Sequence, residues 1–220
     1  WVILNLVEAA EIGVAEERQT PRGKIRISLP LSFGLKRLAP LLLDFSQRYP
    51  EVALDMDYSD RRVNLIEEGI DLSIRVTRRL DAGDVARRIG TSRMRVLASP
   101  DYLSRHGQPA HPAELAHHVC LGYTNAGAAT TWQFVVDGQL ENFPIRSRIN
   151  ANNGDVLTEA AAQGLGVALV PAAITRIALE GVRYLDIEPP VPVARLALAT
   201  RPGDARALVA HFIQECQALG

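Results

Sequence analysis

The chain has few cysteines and no excess of charge of either sign. Its two cysteines, Cys120 and Cys216, lie far apart, and no closely spaced pair suggests a disulfide framework or a metal clamp. Reduced thiols in a cytosolic setting are therefore the simpler interpretation. Lysine and arginine total 24 and aspartate and glutamate 25, which gives a formal net charge of -1. This balance argues against binding of nucleic acid or an anionic membrane by this segment.

The N-terminal segment lacks the features of an export signal or a membrane anchor. It has no basic start, and its apolar stretch is too short and too acidic to span a bilayer. The apolar residues Ile3, Val7, Ala10 and Val14 instead alternate in steps of four and three, as in the seam of a paired helix. Because no capping residue precedes Trp1, the pattern predicts the end of a longer linker helix.

A strand, a polar turn and a helix are predicted within residues 24–50. With 47% hydrophobic residues among 220, the chain can form one large domain or two smaller ones with proper cores. Alternating apolar residues predict a strand, and a Ser-Phe-Gly turn then leads to a helix with the stripe Leu38, Leu42, Phe45 and Tyr49. Together these elements make a potential anion seat, although a plain capping role for Ser32 is commoner at such turns.

The next segments predict a parallel α/β arrangement. Residues 52–58 alternate as a second strand, Asp60 is expected to cap a helix over residues 61–68, and residues 71–76 form a third strand. Right-handed crossovers then predict the strand order 2-1-3, with a ligand-binding switch point between the first and third strands. Residues 84–98 predict two more strands, and a short capped helix follows over residues 99–107.

A similar strand, polar turn and helix recur in the second half of the chain. They fall in residues 149–164, where Asn152 and Asn153 occupy the turn, and a buried strand follows at residues 167–170. Between the two halves, Asp137 and Gly138 join two alternating runs and predict a β-hairpin. Prolines within residues 189–192 precede a last strand and helix that cross back to the first half. The pattern therefore predicts two lobes, a cleft and a hinge.

These segments, taken in order, resemble the effector-binding part of LysR-type transcriptional regulators. The resemblance is carried by PRGKIRISLPLSFG, LAPLLLDFSQRYPEVALDM, SDRRVNLIEEGIDLSIRV, RRIGTSRMRVLASPDYL, HHVCLGY and INANNGDVLTEAAAQGLGVALVP. It runs from about residue 1 to the end of the chain, and the ordered series is specific.

The resemblance implies an α/β fold similar to type 2 periplasmic binding proteins, each lobe a mixed, mostly parallel sheet with helices on both faces. Residues 1–23 would end the linker helix, residues 24–98 and 193–220 would form the first regulatory subdomain, and residues 99–192 the second. It also implies a cytoplasmic bacterial regulator that dimerises through these domains, with a tetramer for the full-length protein. DNA would be bound only through an N-terminal winged helix-turn-helix that is absent from this chain.

In such domains a small effector binds between the lobes, over the turn after the first strand. The matching positions here are Leu31, Ser32, Phe33, Gly34, Arg75, Val76, Thr77, Gly122, Tyr123, Asn125, Asn152, Asn153, Val170 and Pro171. We expect Ser32 to bind an anionic or strongly polar oxygen, and Asn152 or Asn153 a second polar group. Arg75 either pairs with an effector carboxylate or forms a surface ion pair with Asp71 or Glu67. No cofactor and no metal are expected.

Other functions share parts of the pattern. A solute-binding protein of a transporter would have the same cleft, but the linker helix and the missing export signal disfavour it. A pure dimerisation module with an empty cleft stays open. Cys120 near His117 and His118 suggests a nucleophile, yet a cysteine in an apolar strand is usually a buried hydrophobe. The histidine spacings match no known zinc site, and Trp132 is expected to pack in a core.

Overall fold

The structure, a computed structural model, describes residues 21–77, 85–124, 130–172, 181–201, 204 and 206–217. Its strands are β1 (Gly23–Leu29), β2 (Val52–Tyr58), β3 (Leu72–Thr77), β4 (Val85–Ala98), β5 (Val119–Tyr123), β6 (Thr131–Val136), β7 (Gln139–Pro144), β8 (Arg146–Ala151), β9 (Val167–Pro171), β10 (Arg183–Leu185) and β11 (Val193–Thr200). Its α-helices are α1 (Leu31–Phe33), α2 (Ala39–Arg48), α3 (Pro100–His106), α4 (Gly154–Ala162) and α5 (Ala207–Gln217). A π-helical turn covers Gly34–Leu38, and a 3-10 helix covers Pro112–His117. The predicted N-terminal helix lies outside the described residues.

Strand β1 lies at the centre of the first lobe. It pairs in parallel with β2 on one side and with β3 on the other, so the predicted order 2-1-3 is confirmed. The alternation in its sequence has the expected effect, because Ile25, Ile27 and Leu29 are fully buried. They share one hydrophobic core with the apolar stripe of α2 and with Phe212 of α5. This packing fixes the position at which the chain leaves β1 and enters α1.

Strand β4 connects the two lobes. Sequence patterns predicted two strands over residues 84–98, and that prediction is wrong, because a single strand of 14 residues runs from Val85 to Ala98. Its first part pairs antiparallel with β11, and the residues from Met94 to Leu97 pair antiparallel with β9. Gly90, which interrupts the apolar pattern, lies opposite Leu196 at a register shift in β11. Long-range pairing on both sides therefore keeps the strand continuous where local sequence suggested a break.

The second lobe is built on β9, β5 and β8, which pair in parallel. Helix α4 packs on this sheet, with Leu157 and Ala161 buried against Leu121 and Ala168. A separate hydrophobic core of the second lobe contains Tyr102 and Phe134. It also contains Trp132, which was expected to pack in a core and is buried. The hairpin of β6 and β7 turns at Asp137 and Gly138, whose φ angles are +48° and +79°, so the predicted hairpin is confirmed.

The helix predicted over residues 61–68 does not form. The chain there is irregular and then makes turns, because the side chain of Asn64 accepts hydrogen bonds from the backbone N–H groups of Ile66 and Glu67. Such local side-chain bonds compete with helix formation. Asp60, expected to cap that helix, instead accepts a hydrogen bond from the backbone N–H of Leu31. Gly69 ends the turn with a φ of +64°, a conformation that favours glycine.

Asp71 ties the start of β3 to the end of β11. Its carboxylate accepts hydrogen bonds from the backbone N–H of Arg26 and from the guanidinium groups of Arg201 and Arg206. The Asp71 residue is only 6% exposed, so this carboxylate is a buried acceptor. Arg206 also pairs with Asp204, and the hydrogen bond from Arg206 lowers the pKa of that second carboxyl. The cluster fastens the returning C-terminal part of the chain to the first lobe.

Candidate functional site

The first wall of the candidate site is the helical segment that follows β1. Ser32 is 3% exposed and lies in α1, whose N-cap position is Pro30, so Ser32 does not cap this helix. The π-helical turn follows directly, and its wider winding is closed by a hydrogen bond from the Ala39 N–H to the Gly34 carbonyl. Ser32 and Lys36 are four residues apart on this segment. Single π-helical turns within helices occur frequently at functional sites.

The second wall is the turn between β8 and α4. Asn153 caps α4, because its side-chain oxygen accepts hydrogen bonds from the N–H groups of Asp155 and Val156, at 3.0 and 3.2 Å. The amide nitrogen of the same side chain is then directed at the first lobe. Asp155 follows in the first turn of α4. The asparagine of the turn therefore holds the helix start and faces the cleft at the same time.

Five side chains join the two walls, and we call them the interlobe cluster: Ser32, Lys36, Asp60, Asn153 and Asp155. Asn153 Nδ2 donates to Ser32 Oγ at 3.3 Å and to Asp60 Oδ2 at 3.2 Å. Ser32 Oγ donates in turn to Asp155 Oδ2 at 2.7 Å, and Lys36 Nζ donates to Asp155 Oδ1 at 3.1 Å. A hydrogen bond to a charged group that is shielded from water contributes about 1.5–3 kcal/mol, and the partly exposed pair of Lys36 and Asp155 contributes less because water screens it. The cluster thus holds the lobes together at the position where the sequence predicted a cleft.

Arg75 lies beside this cluster at the end region of β3. Its guanidinium donates to the Ser28 hydroxyl at 2.7 Å and to the Ser59 carbonyl at 2.8 Å. The expected alternative, an ion pair with Asp71 or Glu67, is wrong, since these two oxygens are its partners and Asp71 is held by Arg201 and Arg206. Burial lowers the pKa of Arg75, while Asp57 and Asp60 raise it. A half-buried positive charge therefore stands near the cleft.

The other predicted positions surround the cluster in different ways. The Leu31 N–H is used by Asp60, and the Gly34 N–H donates to the Pro30 carbonyl at 2.7 Å. Phe33 packs against the first core, and a Cβ added at Gly34 would lie 3.0 Å from the Tyr58 ring, so only glycine fits there without a shift. The remaining residues Val76 and Thr77 lie in β3, Gly122 and Tyr123 in β5, Val170 and Pro171 in β9, and Asn152 is exposed beside Asn153.

Asn125 lies outside the described residues. Of the fourteen predicted positions, the structure brings Ser32 and Asn153 into direct contact, and Leu31 joins them through Asp60. Effector binding by these residues stays a prediction. Sequence reasoning missed Lys36, Asp60 and Asp155. Two features of the sequence could have indicated these residues. Lys36 lies four residues after Ser32, and Asp155 lies two residues after Asn153.

Cys120, His111 and His118 have structural roles and do not form a nucleophilic or metal-binding site. Cys120 is fully buried, and burial raises its pKa to about 12, so its thiolate is scarce at neutral pH. His111 caps the 3-10 helix by accepting from the Ala113 N–H, and His118 contacts the Tyr102 hydroxyl. Among the described residues, no group of three or more histidine, cysteine, aspartate and glutamate side chains is arranged to hold a metal ion.

An open pocket lies away from the interlobe cluster. It measures about 390 Å³ and is lined by Arg93, Met94, Arg95, Val96, Val135, Leu185, Asp186, Ile187, Glu188, Pro190, Val191, Pro192 and Val193. Arg95 and Asp186 face each other across 3.6 Å at its edge. We assign function to the interlobe cluster and not to this pocket, because the cluster joins side chains of both lobes by direct hydrogen bonds. None of the described helices combines the length and apolar character needed to span a membrane.

Two sheet-based lobes that meet at polar strand-to-helix turns define a two-lobed ligand-binding domain. The comparisons agree, because the model of the LysR substrate binding domain matches residues 18–220. The chain therefore belongs to the family of LysR substrate binding domains. It is 37% identical over 166 residues to the HTH-type transcriptional regulator CrgA of Neisseria meningitidis, a match that covers 76% of this chain and 55% of that protein.

Further relatives agree with this assignment. The HTH-type transcriptional regulator DmlR of Escherichia coli is 30% identical over 157 residues, covering 71% of this chain and 51% of its own. Among solved structures, the CrgA regulatory domain superposes with a TM-score of 0.74 at 30% identity, covering 91% of this chain and 100% of that one. The effector domain of AmpR from Pseudomonas aeruginosa gives a TM-score of 0.69 at 26% identity, covering 90% and 95%. The chain spans about half the length of the curated relatives CrgA and DmlR. These matches favour the interpretation of the chain as part of a regulator over its interpretation as the solute-binding protein of a transporter.

Proposed function

We propose that this chain is the sensing domain of a bacterial LysR-type regulator and binds a small effector between its lobes. The observation that carries the proposal is the contact of Ser32 and Asn153, whose side chains meet at 3.3 Å across the two lobes. A molecule that enters between these turns touches both lobes at once. The effector contacts would come from the turn after β1, the end of β3, and the facing ends of β5, β8 and β9.

The signal follows from differential binding to two arrangements of the lobes. An effector shifts the arrangement only to the extent that it binds one of them better, and such coupling typically amounts to about 1–3 kcal/mol. The interlobe cluster is the element that would change, because the hydrogen bonds from Ser32 and Lys36 to Asp155 join the two lobes in the arrangement that the structure shows. A change there alters how the two lobes present their outer surfaces to a second copy of the chain.

The whole protein would act on DNA in the cytoplasm through an N-terminal winged helix-turn-helix. This part of the proposal rests on the relatives, which are called HTH-type transcriptional regulators and are about twice as long as the matched segment. The regulatory domains would dimerise, and the full-length protein would form tetramers. A catalytic activity is not part of the proposal, since the relatives are regulators and the Cys120 thiol is buried.

A thermal-shift screen of small carboxylates, aromatic acids, lactones and amino acids tests the proposal. A true effector at about 100 times its dissociation constant adds about 2.7 kcal/mol to the free energy of unfolding. For a chain of this length, that gain corresponds to a rise in Tm of about 5–10 °C. Calorimetry then gives the dissociation constant of each hit for the wild-type chain.

Two cleft variants and one matched control locate the binding site. Ser32→Ala and Asn153→Ala are expected to weaken effector binding at least 5-fold, because each removes a polar group at the lobe contact. Ser104→Ala is the control, since this serine bonds only to the Asp101 carbonyl on the surface of α3. Equal affinity in all three variants would remove the cleft as the effector site.

A further inference from the structure

We propose that Ser32 and Lys36 form a carboxylate-binding subsite, which Asp155 occupies in this structure and which a carboxylate group of the effector takes over. This inference rests on the proposed function and specifies its ligand class. It assigns to Asp155 the role of a tethered competitor. It also assigns to Lys36 a contact with the effector, although sequence reasoning did not select either residue.

The geometry of the subsite is that of two-point carboxylate recognition. The Ser32 hydroxyl donates to one oxygen of the Asp155 carboxylate at 2.7 Å, and the Lys36 ammonium donates to the other at 3.1 Å. Ser32 is 3% exposed, so its hydroxyl is pointed at this position and shielded from bulk water. Asn153 donates to the same hydroxyl at 3.3 Å, which orients the hydroxyl proton toward the carboxylate. Charge-assisted hydrogen bonds from two separate donors favour an anionic acceptor over a neutral one.

Asp155 can leave without unfolding the helix that carries it. The start of α4 is held by the Asn153 side chain, which accepts from the backbone N–H groups of Asp155 and Val156 and does not use the Asp155 side chain. The side chain of Asp155 is 42% exposed, so rotation about its bonds brings the carboxylate into water. The contact between Asn153 and Asp60 persists after this rotation. The lobes therefore stay connected while the subsite is exchanged.

A carboxylate is the ligand group that replaces Asp155 with the fewest lost interactions. It restores both hydrogen bonds and the charge balance of Lys36, whose side chain is 30% exposed. A neutral group leaves the ammonium without its counter-ion, and a cationic group adds a second positive charge beside it.

Removal of the tethered carboxylate makes the subsite available to a free one. A tethered group acts at an effective concentration in the millimolar range or above, so its loss should tighten binding of a carboxylate ligand by about 10-fold. The direct test uses acetate, which carries little more than the group in question. In Asp155→Ala, sodium acetate at about 100 mM should raise Tm by about 2–4 °C over sodium chloride of equal ionic strength.

The controls isolate the subsite from general salt and helix effects. Asp101→Ala removes a carboxylate from the first turn of α3, a comparable helix position that does not touch the cluster, and acetate should leave its Tm unchanged. Acetamide, a neutral analogue of acetate, should not stabilise Asp155→Ala. The double variant Asp155→Ala with Lys36→Met should lose the acetate response. If Asp155→Ala does not fold, Asp155→Asn keeps the side-chain volume and is measured in the same way.

The outcomes separate this inference from the proposed function. An acetate response in Asp155→Ala that does not exceed the response of Asp101→Ala overturns the carboxylate subsite. A screen hit that binds the wild-type chain and Asp155→Ala equally well also overturns it, and leaves the cleft as an effector site. If acetate stabilises Asp155→Ala but no compound of the screen binds the wild-type chain, the subsite stands and the proposed sensing function fails.

Discussion

Replacement of Asp71 by alanine should destabilise the chain far more than replacement of a surface aspartate. The Asp71 carboxylate accepts from the Arg26 backbone N–H at 2.8 Å and from the guanidinium groups of Arg201 and Arg206. In Asp71→Ala, the backbone N–H of Arg26 loses its acceptor. The guanidinium groups of Arg201 and Arg206 then lie close together without the carboxylate that they share. Arg206 keeps Asp204 as a second partner, which limits the loss.

The magnitude follows from burial and charge. The hydrogen bond from a backbone N–H to a buried carboxylate contributes about 1.5–3 kcal/mol. The two arginine side chains are 33% and 44% exposed, so water screens their pairing with Asp71, and together they add about 1 kcal/mol. We therefore expect a loss of about 3 kcal/mol in the free energy of unfolding, or a fall in Tm of about 6–12 °C for a chain of this length.

Urea unfolding and differential scanning calorimetry measure this loss. Asp55→Ala is the matched control, because Asp55 pairs with Lys24 at 3.0 Å on the surface of β2, with 43% of its side chain exposed. That substitution should cost less than about 1 kcal/mol. If Asp71→Ala costs no more than Asp55→Ala, the buried carboxylate does not fasten the C-terminal part of the chain to the first lobe, and the reasoning is refuted.

Three further predictions concern the second lobe. Burial lowers the pKa of His118 from 6.5, so protonation favours the unfolded chain, and stability present above about pH 6.5 should be lost as pH falls through the lowered pKa. His118→Gln should flatten this part of the stability curve measured by urea unfolding, and an unchanged slope would contradict the assignment. In a Cys216→Ser background, the buried Cys120 thiol should not react with a thiol reagent at pH 8 until the chain unfolds, and rapid labelling of folded protein would disprove its burial. Gly166→Ala should lower the free energy of unfolding by more than about 2 kcal/mol or prevent folding, because the new Cβ would lie 2.5 Å from the Val119 carbonyl oxygen. At Gly107 a new Cβ meets no atom within 4 Å, so Gly107→Ala should lower the free energy of unfolding less when both variants are measured by calorimetry.

Local patterns predicted the elements whose own residues decide their structure. The alternation of Ile25, Ile27 and Leu29 predicted β1, and the Asp-Gly pair at residues 137–138 predicted the hairpin. Prediction failed where a distant partner or a competing side chain decides the structure. β4 stays continuous past Gly90 because β11 and β9 pair along it, and residues 61–68 do not form a helix because Asn64 bonds its own backbone.

The candidate site was predictable only in outline. The sequence indicated that Ser32 and Asn153 follow similar strands and face each other, although the predicted turn at Ser32 is wrong, because Leu31–Phe33 is helical and the π-helical turn follows directly. Their partners Lys36, Asp60 and Asp155 were not predictable in the same way. Their contacts depend on how two lobes more than a hundred residues apart in sequence are placed against each other, as in the pair of Ser32 with Asp155 at a separation of 123. No local pattern contains that information.

The continuity of β4 limits how the two lobes can move. A flexible loop would allow a wide swing, but a paired strand has few soft angles and resists bending away from its neighbours. We expect relative motion to take the form of a small twist along the strand, most easily near Gly90, where β11 shifts register. The continuity of β4 therefore favours a small rotation of the lobes over a wide swing. A long lever beyond the domain would be needed to turn so small a rotation into a displacement of several ångströms.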